Sequence, residues 1–335
     1  MLLAISKTTI LVILLVIVVV LLIGCAFVAY IWIGNRLFKT AFKRPKPMPV
    51  VDRSPNDIDT SDLFGKGKNW FYAHRMEYLN VRVDGFDGTK LAGYFRPARD
   101  RSCRNVVILL HGYNEMPSEM GAYAKLFMNK IECHMLIIHQ RAHQMSEGRF
   151  VSYGLYESVD LMTWIDFAKR QVGDNARIFI MGRSMGATTA LLAAQQEGFS
   201  ENVAGIVADC PMANLNETLL AAAKRRYKMN LSMFMPHVNK CAQHNYKFDI
   251  NHCETTMHAD RIRVPVLIFQ AVNDVTVSPD SARRIYDRLR CPKRMLMIDN
   301  CEHIDCYNVS PALYEREVEN FIEKCVVRLV KLGRM

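Results

Sequence analysis

The chain has 335 residues, half of them hydrophobic, and a formal charge of +10; this is enough apolar material for a large buried core and excludes a disordered or low-complexity chain. Six of the 43 basic residues and none of the 33 acidic ones lie in the first 46 positions, so the charge falls to +4 beyond them. That small excess gives no ground for a nucleic-acid partner.

Ile10 to Ile33 contains no charged residue. At about 1.5 Å per residue such a helix reaches roughly 36 Å, enough to cross a hydrocarbon core of about 30 Å. Residues 1–34 are therefore expected to form a transmembrane segment. A cleaved signal peptide would have a shorter apolar region. Leu22-Ile23-Gly24-Cys25 resembles a lipidation box, but the chain stays apolar through Ile33. Arg36, Lys39, Lys43, Arg44 and Lys46 follow the span and only Lys7 precedes it, a bias that places the rest of the chain in the cytoplasm. The same cluster is expected to meet anionic lipid headgroups. Nine unpatterned cysteines beyond the span agree with a reducing compartment.

Residues 35–69 are expected to be a juxtamembrane linker, because Lys43 to Asp62 is rich in Pro, Ser and Asp and lacks an apolar period. A domain over 70–335 follows. Met76–Asp84 and Lys90–Arg96 alternate as a hairpin around Gly85-Phe86-Asp87-Gly88, the one clear antiparallel element. Then come strands at Asn105–Leu110, His134–His139, Arg177–Met181, Val203–Asp209, Val264–Ala271 and Arg294–Ile298. Helices are expected near Met120–Lys130, Tyr156–Arg170, after Gly186, at Asp280–Arg290 and from about Pro311. Apolar strands alternating with helices predict an α/β class, a mostly parallel sheet with helices on both faces. About 210–263 is too long for a connection and is expected to be a helical cap over the sheet's C-terminal edge. Its Leu219, Leu220, Met229, Leu231, Met233, Phe234 and Met235 can pack the cap down or face a bound apolar group.

The strand "RIFIM" stops at Gly182-Arg183-Ser184-Met185-Gly186 and restarts as a small-residue helix. Glycines on both sides allow a sharp strand-to-helix turn with Ser184 exposed at its apex, the setting that the Gly-x-Ser-x-Gly motif needs. A hydroxyl becomes a nucleophile only beside a base, so a histidine and an orienting acid must follow. Asp274 lies just past one strand and His303 just past the next. Asp209 also ends a strand and is the second candidate acid. Two backbone donors are needed for an oxyanion, and Tyr113 N–H, after His111-Gly112, with Met185 N–H, directly after Ser184, are the expected pair. His237, Cys241, His244, His252, Cys253 and His258 follow no familiar zinc spacing, so no metal and no cofactor are expected.

Over roughly residues 70–330 these features resemble the serine α/β-hydrolase superfamily. A closer resemblance is to membrane-anchored α/β-hydrolases of Gram-positive bacteria, whose hallmark looks like Asp-x-Arg-x-His-Gly-x-Ser-x-Gly with a later glycine and glutamate. This chain reads His139-Gln140-Arg141-Ala142-His143-Gln144-Met145-Ser146-Glu147-Gly148, then Gly154 and Glu157. It departs from the hallmark at Gln140 and Gln144. The resemblance implies the α/β-hydrolase fold and a membrane-anchored serine hydrolase acting on an ester or thioester, with a small acyl ester or lipid-like substrate. A peptidase or acyltransferase of the same fold, and a silent membrane-tethered binding protein, are the alternatives.

Overall fold

In a computed structural model of the chain, residues 6–46 and 60–333 are described; residues 47–59, the middle of the expected linker, and the extreme termini lie outside the described residues. The elements run α1 (Lys7–Phe42), α2 (Leu63–Ala73), β1 (Leu79–Asp84), β2 (Lys90–Arg96), β3 (Asn105–Leu110), α3 (Gly121–Lys130), β4 (His134–Ile138), α4 (Leu155–Val172), β5 (Arg177–Arg183) and α5 (Met185–Ala193). They continue with β6 (Val203–Asp209), α6 (Leu215–Tyr227), α7 (Met235–Tyr246), β7 (Val266–Ala271), α8 (Pro279–Arg288), β8 (Lys293–Ile298), α9 (Cys306–Val309) and α10 (Pro311–Lys331).

The strands form one sheet in the order β1-β2-β4-β3-β5-β6-β7-β8. From β4 to β8 every pairing is parallel. The hairpin pairs Leu79 with Phe95 and Asp84 with Lys90. Antiparallel pairing extends further than the sequence suggests, because β2 also runs against β4 with Gly93 opposite Ile138. Successive residues of the central strands point to opposite faces. Ile108, Ile180 and Ile206 therefore join the core around Trp164, while Leu109, Phe179 and Val207 join the one around Tyr123 and Phe321. Both faces are covered by helices, which is why these strands read as continuous apolar runs.

Two differences from the sequence expectation concern residues 35–69. The first helix does not end near Gly34 but continues to Phe42, about 54 Å at 1.5 Å per residue. Its last turns are not linker: Phe42 is fully buried and Phe38 nearly so, packed with Tyr153, Tyr246 and Phe248. The charged periphery of this stretch hid an apolar face made by Phe38 and Phe42, four residues apart. The second difference is α2, which docks on α3 so closely that a Cβ on Gly121 would collide with the carbonyl of Gly67. The packed body therefore begins before residue 70.

Between β6 and β7 the chain forms α6, α7 and short 3-10 turns. Leu219, Leu231 and Met235 line a cavity, Phe234 stacks on Tyr30 of α1, and Met229 and Met233 are exposed. The apolar residues of this insert thus divide between packing, cavity wall and surface.

Candidate active site

The turn after β5 is strained in a way its sequence permits. Ser184 has φ 53° and ψ −116°, a positive φ that costs a non-glycine residue energy and persists only when neighbours hold it. Ser184 N–H donates to Asp209 O at 2.7 Å, which ties the turn to the end of β6. A Cβ on Gly182 would strike the Gly186 carbonyl, and one on Gly186 would strike that of Leu110. The two glycines let α5 start directly against β5 and β3.

At this apex three side chains meet. The Ser184 hydroxyl lies 2.8 Å from His303 Nε2, and His303 Nδ1 lies 2.6 Å from Asp274 Oδ2. Asp274 is itself fixed. Its Oδ1 accepts from Thr276 N–H at 2.8 Å and Val277 N–H at 2.7 Å, and its Oδ2 from Gln270 Nε2 at 3.2 Å. The loops that carry Asp274 and His303 leave adjacent parallel strands, β7 and β8, so both emerge at one sheet edge beside Ser184. Asp209 is elsewhere occupied. It is wholly buried, accepts from Tyr123 and Tyr314 hydroxyls at 3.0 Å each, and burial pushes its carboxyl well above the usual range.

The backbone around Tyr113 is held by its neighbours. Gly112 N–H donates to Glu115 Oε2 at 2.6 Å and Asn114 N–H to His143 Nε2 at 3.0 Å. Tyr113 N–H lies between them and has no acceptor among the described residues. Met185 N–H opens α5, where the first helical bond is made only by Thr188 N–H to Ser184 O. Glu115 also pairs with Arg183 at 2.9 Å, joining the Tyr113 turn to the serine turn.

His143 orients its ring by donating from Nδ1 to Arg141 O at 2.8 Å, leaving Nε2 as the acceptor; burial holds its pKa down. Gln140, one of the departures from the hallmark, is buried. Its amide bonds His111 O, and its Oε1 accepts from Thr189 at 3.0 Å. Gln144, the other departure, sits at φ 43°, a conformation that explains why a glycine suits that position. Arg44 closes the same loop from α1, donating to Gln144 O at 2.7 Å and Gly148 O at 3.2 Å. It is thereby withdrawn from the headgroup-facing cluster expected of it, because two carbonyls of the loop take up its guanidinium.

Cys210, directly after β6, was not singled out by sequence. Its thiol, Asp274 and His303 present ligand atoms within 4.8 Å of one another, as do Asp209, Cys210 and Cys306. Thiol, imidazole and carboxylate suit a soft divalent ion, but an ion there would occupy the imidazole that faces Ser184. Of the six residues of metal-ligand type between β6 and β7, His237 and Cys241 both bond Asn35 of α1. Burial opposes charge on His303, yet the hydrogen bonds to Asp274 and Cys210 outweigh it and lift the imidazole to about 9. Burial likewise opposes a Cys210 thiolate, but hydrogen bonds from Cys306 and His303 pull the thiol down to about 5.

Known proteins similar to this chain agree with that architecture. A family model described as serine aminopeptidase, S33 matches residues 101–251. The protein YqkD of Bacillus subtilis is 27% identical over 249 residues, covering 74% of this chain and 80% of that protein. YfhR of Salmonella typhi is 25% identical over 255 residues, 74% of this chain and 82% of the relative. The Pyrococcus furiosus esterase Pf2001 superposes with a TM-score of 0.60 at 20% identity, covering 83% of this chain and 99% of that one. The Pyrococcus horikoshii acylaminoacyl peptidase gives 0.55 at 16%, covering 73% and 40%. Sheet order, the strand-turn-helix around Ser184 and these likenesses converge on one architecture: the chain has the α/β-hydrolase fold and is similar to serine α/β-hydrolases.

Proposed function

We propose that this protein is a membrane-anchored serine hydrolase that cleaves an ester or thioester through an acyl-enzyme at Ser184. The observation that carries the reading is the continuous contact from Ser184 Oγ through His303 to Asp274, at 2.8 and 2.6 Å. As Ser184 Oγ attacks the acyl carbon, its proton passes to His303 Nε2. Asp274 fixes the Nδ1–H tautomer and stabilises the imidazolium. Negative charge on the former carbonyl oxygen is met by the N–H groups of Tyr113 and Met185, helped by the N-terminal dipole of α5. His303 then protonates the leaving group. Water, deprotonated by the same nitrogen, frees the acid. No cofactor enters these steps.

The substrate we propose is a small acyl ester or a lipid-like one, and the one helix among the described residues long and apolar enough to cross a membrane, Lys7–Phe42, is the proposed anchor. The hydrolase domain then sits on the cytoplasmic side. The peptidase alternative rests on the family model's description, since an amide can form the same acyl-enzyme; an acyltransferase would differ only in the acceptor. The full-length protein in detergent should react with a fluorophosphonate at Ser184, and Ser184→Ala should abolish the reaction. A folded wild-type protein that never reacts would favour a silent binding protein.

A further inference from the structure

A cavity of about 220 Å³ lies between the last turns of α1 and the α6–α7 insert. Leu37 and Ala41 form one wall, Leu219 and Ala222 another, and Tyr113 and Tyr153 a third. Tyr113 and Tyr153 stack at 5.0 Å, and the Tyr153 hydroxyl donates to Ala41 O at 2.8 Å. Tyr113, whose backbone amide the mechanism proposed above assigns to the oxyanion, therefore also lines a space partly walled by the membrane helix. Leu37 is four residues past Ile33, so the cavity begins about 6 Å beyond the end of the apolar run.

A second observation fixes how the insert stands relative to the bilayer. Tyr30, still inside the apolar run, stacks on Phe234 at 5.3 Å and meets His237 edge-on at 5.7 Å. The segment between α6 and α7 thus reaches the depth of Tyr30. On that segment Met229 and Met233 are 62% and 64% exposed. Flexible apolar side chains held at the height of an interfacial tyrosine suit the acyl boundary of a membrane better than water. Arg226, also on the cavity, adds a cation where anionic headgroups lie.

We infer that this cavity takes the acyl chain of a bilayer glycerolipid, which reaches Ser184 along α1 rather than from water. The anchor is then one wall of the substrate site. Turnover of that lipid rests on the hydrolase reading above; its binding does not. A volume of 220 Å³ corresponds to roughly seven water-sized groups at about 30 Å³ each. A methylene is of similar size, so about seven carbons fill the space and a longer tail continues into the bilayer.

The test uses the full chain carrying Ser184→Ala in phosphatidylcholine nanodiscs doped with a phosphatidylglycerol bearing a diazirine in its acyl chain. Photolysis followed by peptide mapping should place crosslinks on residues 219–227 as well as 37–41, and Ala222→Trp should reduce those on α6 at least fivefold. Crosslinks confined to residues 10–33 overturn the inference, whether or not the tryptophan variant folds. In parallel, wild type, Ala41→Trp and Ala222→Trp are compared on p-nitrophenyl acetate and octanoate. The octanoate-to-acetate ratio of kcat/KM should fall about tenfold in both variants. Turnover with an unchanged ratio overturns the lipid cavity and leaves the hydrolase. Crosslinks on α6 in a wild-type protein that cleaves neither ester support the lipid site and overturn the hydrolase.

Discussion

In the mechanism proposed above His303 has to be neutral to accept the Ser184 proton, yet hydrogen bonding to Asp274 and the neighbouring Cys210 thiol outweighs burial and lifts its pKa to about 9. Activity should therefore climb with pH from neutral through that value. Removing an anionic neighbour lowers the pKa of a histidine, by about 1–3 pH units for a close charge. Cys210→Ala should accordingly shift the alkaline-rising limb of kcat/KM to lower pH and raise activity at pH 7. A midpoint that stays put or moves up would mean that the thiol carries no charge beside the imidazole. The contact of Ser184, His303 and Asp274 could be anticipated from sequence because glycine spacing and strand order restrict which side chains reach the turn after β5. Cys210 and His143 could not. The first lies within 4.8 Å of His303 across 93 positions of sequence and the second accepts Asn114 N–H, placements that no local pattern encodes.

At the scale of elements, the alternation of apolar strands and helices made the sheet legible, down to most strand ends, because each strand is buried on both faces. The pairing of β2 with β4 was not, since antiparallel neighbours are decided by topology and not by composition. The end of α1 was also missed: basic residues and a following proline mask Phe38 and Phe42, which face inward against the α7 side. Loss of a fully buried phenylalanine costs about 3–5 kcal/mol. Phe42→Ala in the full chain should lower stability by that order in denaturant unfolding followed by tryptophan fluorescence. A change below about 1 kcal/mol, typical of surface sites, would mean that the end of α1 is not docked on the domain. The same packing warns against removing the whole helix to obtain a soluble protein, since a chain starting at residue 47 would expose Tyr246 and Phe248.

For the molecule as a whole, the proposed membrane anchor makes the side on which the hydrolase domain lies decide which of the proposed ester substrates it would meet. With Arg44 bound to the loop, Arg36, Lys39, Lys43 and Lys46 still outnumber Lys7 across the span, so the positive-inside bias persists. The native cysteines are poor reporters, because beyond the span only Cys241 and Cys291 are even partly exposed. Glu197→Cys, at an exposed turn, should resist a membrane-impermeant maleimide in intact cells and react after lysis. Reaction in intact cells would put the domain outside. Orientation and substrate, however, matter only if Ser184 is the group that carries the acyl chain, and Cys210 stands close enough to His303 to be the alternative. Rapid quenching of the full-length protein with p-nitrophenyl butyrate, followed by peptide mass analysis, tests this directly. Butyryl mass on the peptide containing Ser184, absent from Ser184→Ala, is the result the account predicts; butyryl mass on Cys210, or undiminished turnover by Ser184→Ala, would contradict it.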